Sequence, residues 1–240
     1  HYVATLADIS ERKAAEDQIR HLAFFDALTT LPNRRLLQDR LQQALIASAR
    51  SGRFAALMFL DLDNFKNIND LHGHESGDEL LRQAAGRITQ AVRATDTVAR
   101  LGGDEFVVVL EELESYSAEA ASQAEHVGMK ILAALSQPYL IAGTLQRSSA
   151  SIGVVLFNDN LSGVEELMKR ADLSMYQAKN AGKNALRFFD PQMQEDVAME
   201  WIRTVRVESG KSSFGDAIRP ALTVVDAALP TAKGQRCADL

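Results

Sequence analysis

The chain has 240 residues, 46% hydrophobic and 24% charged, the composition of an ordinary globular protein with one typical domain and flanks, or two small domains. A net charge of −6 argues against a nucleic-acid-binding surface as the main function, and the single cysteine, Cys237, excludes an internal disulfide and suits a reducing cytoplasm. No apolar run approaches a membrane span and no signal peptide is visible, but the sequence starts at His1 and reads as a piece of a longer protein, with room for a sensor or membrane anchor upstream.

In chain order, residues 2–7 (YVATLA) predict a short strand. A polar helix over 10–25 follows, with Ala14, Ala15, Ile19, Leu22 and Phe25 as its apolar positions. That narrow stripe fits either a partner helix or the helix's own domain. DALTTLPN at 26–33 is a turn signal: Pro32 biases Leu31 away from helix and Asn33 is a good N-cap. Leu36, Leu37, Leu41, Ala44 and Leu45 then mark one face of a helix ending near Gly52. The run FAALMFL, 54–60, is continuously apolar and bounded by charge, as in a strand buried on both faces. Asp61 and Asp63 follow at its end, where alternation puts both on one face and Leu62 on the other. Ser76 or Gly77 opens the next helix, with Leu80, Leu81, Ala84, Ala85, Ile88 and Val92 inward.

Residues 100–110, RLGGDEFVVVL, carry the strongest local signal. Gly102 and Gly103 between two β-like runs predict a hairpin turn, because only glycine takes positive φ without steric cost. Asp104 and Glu105 then open a strand whose continuation, Phe106–Leu110, is buried; charges there are costly unless they pair or hold a cation. Next come a helix over 117–135, with Ala120, Ala124, Val127, Ile131 and Leu135 inward, and strands at 138–141 and 148–157 separated by a turn at Gly143. Val164, Leu167, Met168, Ala171, Met175 and Ala178 define a last helix ending at Gly182, and 185–189 a closing strand. Beyond Asp190 the periodicity fades, and 191–240 reads as a poorly ordered extension.

If the strand ending at Asp61 neighbours the hairpin, Asp61, Asp104 and Glu105 converge at one end of a sheet. Converging carboxylates suit Mg²⁺ or Mn²⁺, with nucleotide phosphates completing the shell. A solvated acidic hairpin tip is the alternative that the residues alone leave open.

LGGDEF, together with DLDNFKNINDLHGHESGD upstream and YQAKNAGKN downstream, closely resembles the GGDEF family of diguanylate cyclases over residues 26–190. The resemblance implies an α+β fold like the palm of nucleotide cyclases and polymerases, a central, mainly antiparallel sheet flanked by helices. It also implies condensation of two GTP into cyclic di-GMP with release of pyrophosphate, in a homodimer and with Mg²⁺ or Mn²⁺. By position, Asp61, Asp104 and the Leu62 carbonyl would hold metal, with Asp104 and Glu105 as the catalytic acidic pair. Asn69 and Asp78 would read guanine, a carboxylate accepting from N1 and N2 and the amide both donating and accepting. His74 would meet the ribose. Asn64, Phe65, Lys66, Gly102, Gly103, Lys179 and Lys183 would cradle the phosphates; Lys183 stands where arginine is common and gives up its fork. Arg93 and Asp96, in RATD, match an RxxD site at which cyclic di-GMP inhibits, and no arginine between 101 and 146 offers a second arm. Residues 1–25 resemble the end of a PAS-like sensor domain and its connector helix. The other function kept open is a non-catalytic regulatory domain that binds GTP or cyclic di-GMP within a larger signalling protein.

Overall fold

The computed structural model describes residues 22–159 and 162–190. The strand expected at 2–7, most of the 10–25 helix and the 191–240 extension lie outside them. The described residues up to Phe189 fall in one compact unit. Its elements are α1 (Arg34–Ser51), β1 (Ala55–Asp63), α2 (Phe65–His72), α3 (His74–Ala91), β2 (Thr97–Gly102) and β3 (Glu105–Leu110). They continue with α4 (Ser117–Leu135), β4 (Tyr139–Ile141), β5 (Thr144–Gln146), β6 (Ser149–Phe157), α5 (Val164–Asn180) and β7 (Ala185–Phe188).

A five-stranded sheet runs in the order β2-β3-β1-β6-β7. Every neighbouring pair is antiparallel except β6 with β7. The fold is therefore α+β, with a mainly antiparallel central sheet between two helical layers. All nine residues of β1 are buried, the burial on both faces that its unbroken apolar run predicts. Ala56, Met58, Leu60 and Leu62 pack with Leu80, Leu81, Ala84 and Ile88 of α3 and with Ala120, Ala124 and Ile131 of α4. Ala55, Leu57 and Phe59 face the other way, onto Leu37, Leu41 and Leu45 of α1 and Leu167, Ala171 and Met175 of α5. Each such aliphatic side chain contributes about 1.5–3 kcal/mol when fully buried.

Local signals set the element ends. The Asn33 side chain accepts from the Arg35 and Leu36 amides to start α1, and Gly52, at φ 69°, ends it by returning its N–H to the Ser48 carbonyl. Helix α5 lies so close to β6 that a Cβ on Gly153 would overlap the Ala171 carbonyl and the Met175 amide. That contact fixes the height of α5 over the sheet, and with it Lys179 in the last turn.

Three local expectations are corrected. An eight-residue helix, α2, fills the stretch after Asp63 where none was read; Ile68 is its one buried residue, too little to make a period. Helix α3 starts at His74, ahead of the Ser76 or Gly77 expected. The strand at 139–141 pairs with the short β5, through Ala142 and Gly143, both at positive φ, while β6 joins the main sheet beside β1. Two consecutive left-handed residues make the tight hairpin turn that closes β4 on β5 before the chain reaches β6.

Candidate active site

The end of β1 and the start of β3 are adjacent in register: Asp61 lies opposite Glu105, and the Leu62 N–H donates to the Asp104 carbonyl at 3.2 Å. The glycines make the turn as expected, Gly102 at φ 140° and Gly103 at φ 50°. Three carboxylate residues from two separated segments thus meet at one sheet end. Asp61 is buried, and the Lys179 ammonium lies 2.7 Å from its Oδ2. Burial raises the Asp61 carboxyl to about 6; Lys179 opposes the rise, and the charges of Asp104 and Asp63 add to it. Glu105 is also pushed up, by burial first and then by Asp172 and Asp104, against the lowering effects of Arg34 and Lys179.

A crowded, desolvated set of carboxylates with one ammonium is short of positive charge, and a divalent cation would supply it. Among the described residues no three carboxylate, imidazole or thiol groups close into a cage. A cation bound by fewer protein groups would take its remaining ligands from water or from substrate phosphates, as Mg²⁺ commonly does. Leu62 has its side chain buried on the opposite face, and its N–H is committed to the hairpin.

Asp63, on the same face as Asp61, is a different kind of residue. Its Oδ1 accepts from Ser151 Oγ at 2.8 Å, and its Oδ2 from Ser149 Oγ at 2.6 Å and from the Asn184 amide at 3.0 Å. It staples β1 to β6 and to the turn after α5. That turn holds Lys183 and Asn184 at positive φ, and Lys183 Nζ donates to Asn64 Oδ1 at 2.8 Å. Asn64, itself at φ 62°, precedes α2, so three non-glycine residues in the left-handed region cluster beside the carboxylates. Strained backbone of this kind concentrates at functional sites. Lys66 lies exposed on α2, and Phe65 is half-buried at its start.

Helices α2 and α3 carry the Asn69 and Asp78 pair. The side-chain oxygen of Asn69 is buried and has no hydrogen-bond partner. Asp78 follows Gly77, which packs directly on the Asn69 amide. His74 is exposed at the first position of α3, and His72 is exposed at the end of α2.

A second set of residues, foreseen only as a leading turn, anchors the hairpin from behind. Arg100, only 9% exposed, pairs with Asp26 at 2.8 Å, and its Nε and Nη2 donate to the Gly103 carbonyl at 3.1 and 2.8 Å. The Arg100 amide donates to the Pro32 carbonyl. Asp26 also accepts from the Thr29 amide and hydroxyl. Burial alone would raise Asp26, but the bonds from Thr29 and Arg100 outweigh it and hold the carboxyl below its ordinary value. The sequence contained a signal for this tie, an arginine before the glycine pair and an aspartate in a turn, but nothing in it joined the two. Asp172 and Arg34 were likewise not read as neighbours of Glu105.

Arg93 and Asp96 lie away from this sheet end, in the turn between α3 and β2. Asp96 accepts from the Arg93 amide at 2.9 Å and from the Glu111 amide at 3.4 Å. With Glu111, Gln123 and His126 they line a cavity of about 320 Å³. His126, on α4, is the histidine among its lining residues.

A family model for the diguanylate cyclase GGDEF domain matches residues 23–185. The chain belongs to the GGDEF family. It is 48% identical over 183 residues to the bifunctional diguanylate cyclase/cyclic di-GMP phosphodiesterase MucR of Pseudomonas aeruginosa, covering 76% of this chain and 26% of MucR. Among solved structures, the GGDEF domain of TpbB (YfiN) from Pseudomonas aeruginosa matches with a TM-score of 0.68 and 34% identity, over 72% of this chain and 98% of that one. The coiled coil and GGDEF domain of DgcB from Caulobacter crescentus, in complex with c-di-GMP, matches at TM-score 0.66 and 28% identity, over 75% and 93%. The chain spans about a quarter of the length of the first curated relatives, whose names include both cyclases and phosphodiesterases. Among the described residues no helix is long and apolar enough to cross a membrane.

Proposed function

We propose that this GGDEF domain is a diguanylate cyclase that joins two GTP into cyclic di-GMP and releases pyrophosphate. The observation that carries the reading is the register of β1 against β3, which brings Asp61 to Asp104 and Glu105 beside an intact glycine turn. Asp61, Asp104 and the Leu62 carbonyl would hold Mg²⁺ or Mn²⁺, which when bound acidifies a hydroxyl and offsets charge on the phosphates. Asp104 and Glu105 flank the attacking 3′-hydroxyl. Asn64, Phe65, Lys66, Gly102, Gly103 and Lys183 bind the triphosphate, and Lys179 exchanges its bond to Asp61 for one to phosphate when cation and nucleotide arrive together. Asn69 and Asp78 select guanine, because adenine leaves the carboxylate without a donor, and His74 meets the ribose.

The product has two-fold symmetry and each domain offers one such site, so two copies face each other, each presenting its 3′-hydroxyl to the other's α-phosphate. The cavity at Arg93 and Asp96 takes cyclic di-GMP as an inhibitor, with arginine on phosphate or stacked on guanine. Residues 1–25 deliver the signal from a PAS-like sensor upstream, 26–190 form the cyclase domain and 191–240 an extension, and the domain acts in the cytoplasm. The test is incubation of the chain with GTP and Mg²⁺, followed by chromatography for cyclic di-GMP. Product that rises faster than linearly with dilute enzyme supports the dimeric cyclase. GTP binding without turnover would favour a regulatory binding domain, a reading to which the Lys179 bond on Asp61 lends some weight.

A further inference from the structure

The Asn69 amide and Gly77 explain each other. Gly77 is a buried residue in the first turn of α3, and glycine is a weaker helix former than alanine. Its φ is outside the left-handed range, so the backbone does not call for glycine. The reason is steric. A Cβ at Gly77 would overlap Asn69 Oδ1, lie 2.9 Å from its Cγ and come within 3.2 Å of Phe65 Cε2. The helix thus keeps an unfavourable residue, and what occupies the vacated space is a polar atom that is buried with no partner. An orphaned buried acceptor is costly in a folded protein, so seating the amide oxygen against Gly77 carries a cost that the fold alone does not repay.

We propose that Gly77 is a positioning residue for nucleotide selection: the absence of its side chain seats the Asn69 amide in the orientation that receives the guanine base. This rests on the guanine-reading role proposed for Asn69 and deepens it. Gly77 itself touches no nucleotide; it acts through Asn69. Alanine at this position forces the amide to rotate away, because the far end of that side chain yields more easily than the helix backbone.

The experiment uses the 240-residue chain and the variants Gly77→Ala, Asn69→Ala and the double variant. Binding of a non-reacting GTP analogue with an α,β-methylene bridge is read by calorimetry with Mg²⁺. Gly77→Ala is expected to weaken binding about tenfold or more, raising KM more than it lowers kcat. In the Asn69→Ala background the same change should have no further effect, because the group it displaces is gone. Wild-type affinity in Gly77→Ala, or losses that multiply in the double variant, would overturn the proposal. The Asn69 side-chain NH₂ resonances, identified by their loss in Asn69→Ala, separate this from the guanine reading. If they shift in nucleotide-free Gly77→Ala while wild type binds no GTP analogue, the positioning holds and the nucleotide reading fails. If they do not shift, the positioning fails. Should Gly77→Ala not fold, recovery of folding in the double variant supports the steric coupling, and no recovery refutes it.

Discussion

Two carboxylates reach the 102–105 hairpin from opposite sides, and they differ in kind. Asp26 is supplied with donors from Thr29 and Arg100 and is held below its ordinary value. Asp61 is buried with fewer bonds and more negative neighbours, and rises to about 6. The first is finished as it stands and fastens the turn; the second is left short of positive charge. A folded protein keeps such a deficit where a ligand is to make it good. Structure and chemistry are thus divided between the two faces of a single hairpin.

The sharpest way to break the comparison is at the deficient side. Asp104→Ala should lower cyclic di-GMP formation on the order of a thousandfold or more, the scale of losing a main electrostatic group in a reaction. Its thermal unfolding should change little, because among the described residues no hydrogen bond depends on the Asp104 carboxylate, whereas Asp26 accepts from Thr29 and Arg100. Wild-type turnover in this variant would remove Asp104 from the chemistry.

On the finished side, Arg100→Ala should cost stability, about 3 kcal/mol, because it strips a partly buried carboxylate of its cation and frees the Gly103 carbonyl. Urea unfolding measures this. Asp26 has a lowered folded-state value, so its contribution is present above the ordinary carboxylate range and fades as pH falls through the folded value. The gap between wild type and Arg100→Ala should accordingly narrow below about pH 4. A gap independent of pH would mean that packing, and not the ion pair, holds the turn.

A smaller effect is expected at Gly153, where alanine overpacks the α5 contact and should cost about 1–3 kcal/mol. The same variant shifts Lys179 from Asp61, so its activity should fall by more than its stability accounts for.

An effect of similar size, and the most informative, concerns Asp61 itself. Its raised value works against the fold: the cost is absent below pH 3.8, grows towards about 6 and is complete above that. Asp61→Asn should remove this slope and stabilise the metal-free protein near neutral pH by roughly 1–3 kcal/mol. Adding Mg²⁺ should raise the melting temperature of wild type and leave that of Asp61→Asn in place. A wild-type melting temperature that ignores Mg²⁺ would count against Asp61 as a metal ligand.

Much of the frame was legible in the residues. The inward faces of α1, α4 and α5 follow their 3.6-residue period, and β1 announces its burial by an unbroken apolar run. Helix α2 was not legible, because eight residues with one buried side chain carry no period. The partner of β4 was not legible either, since apolar strands on both sides of Gly143 look alike until the tightness of the turn is known. At the site, residue types and spacing located Asp61, Asp104 and Glu105, while the tie from Asp26 to Arg100 depends on contacts between distant segments.

Asp61 and Asp63 mark where sequence stops and tertiary structure begins. Alternation along β1 determines that both lie on one face at one end of the sheet. What each does is decided by what β6 and the turn at 183–184 bring to it: Ser149, Ser151 and the Asn184 amide satisfy Asp63, while Asp61 meets a lysine and two acidic neighbours. A strand's own residues fix the direction of a side chain; the charge and hydrogen-bonding capacity around it come from segments far along the chain.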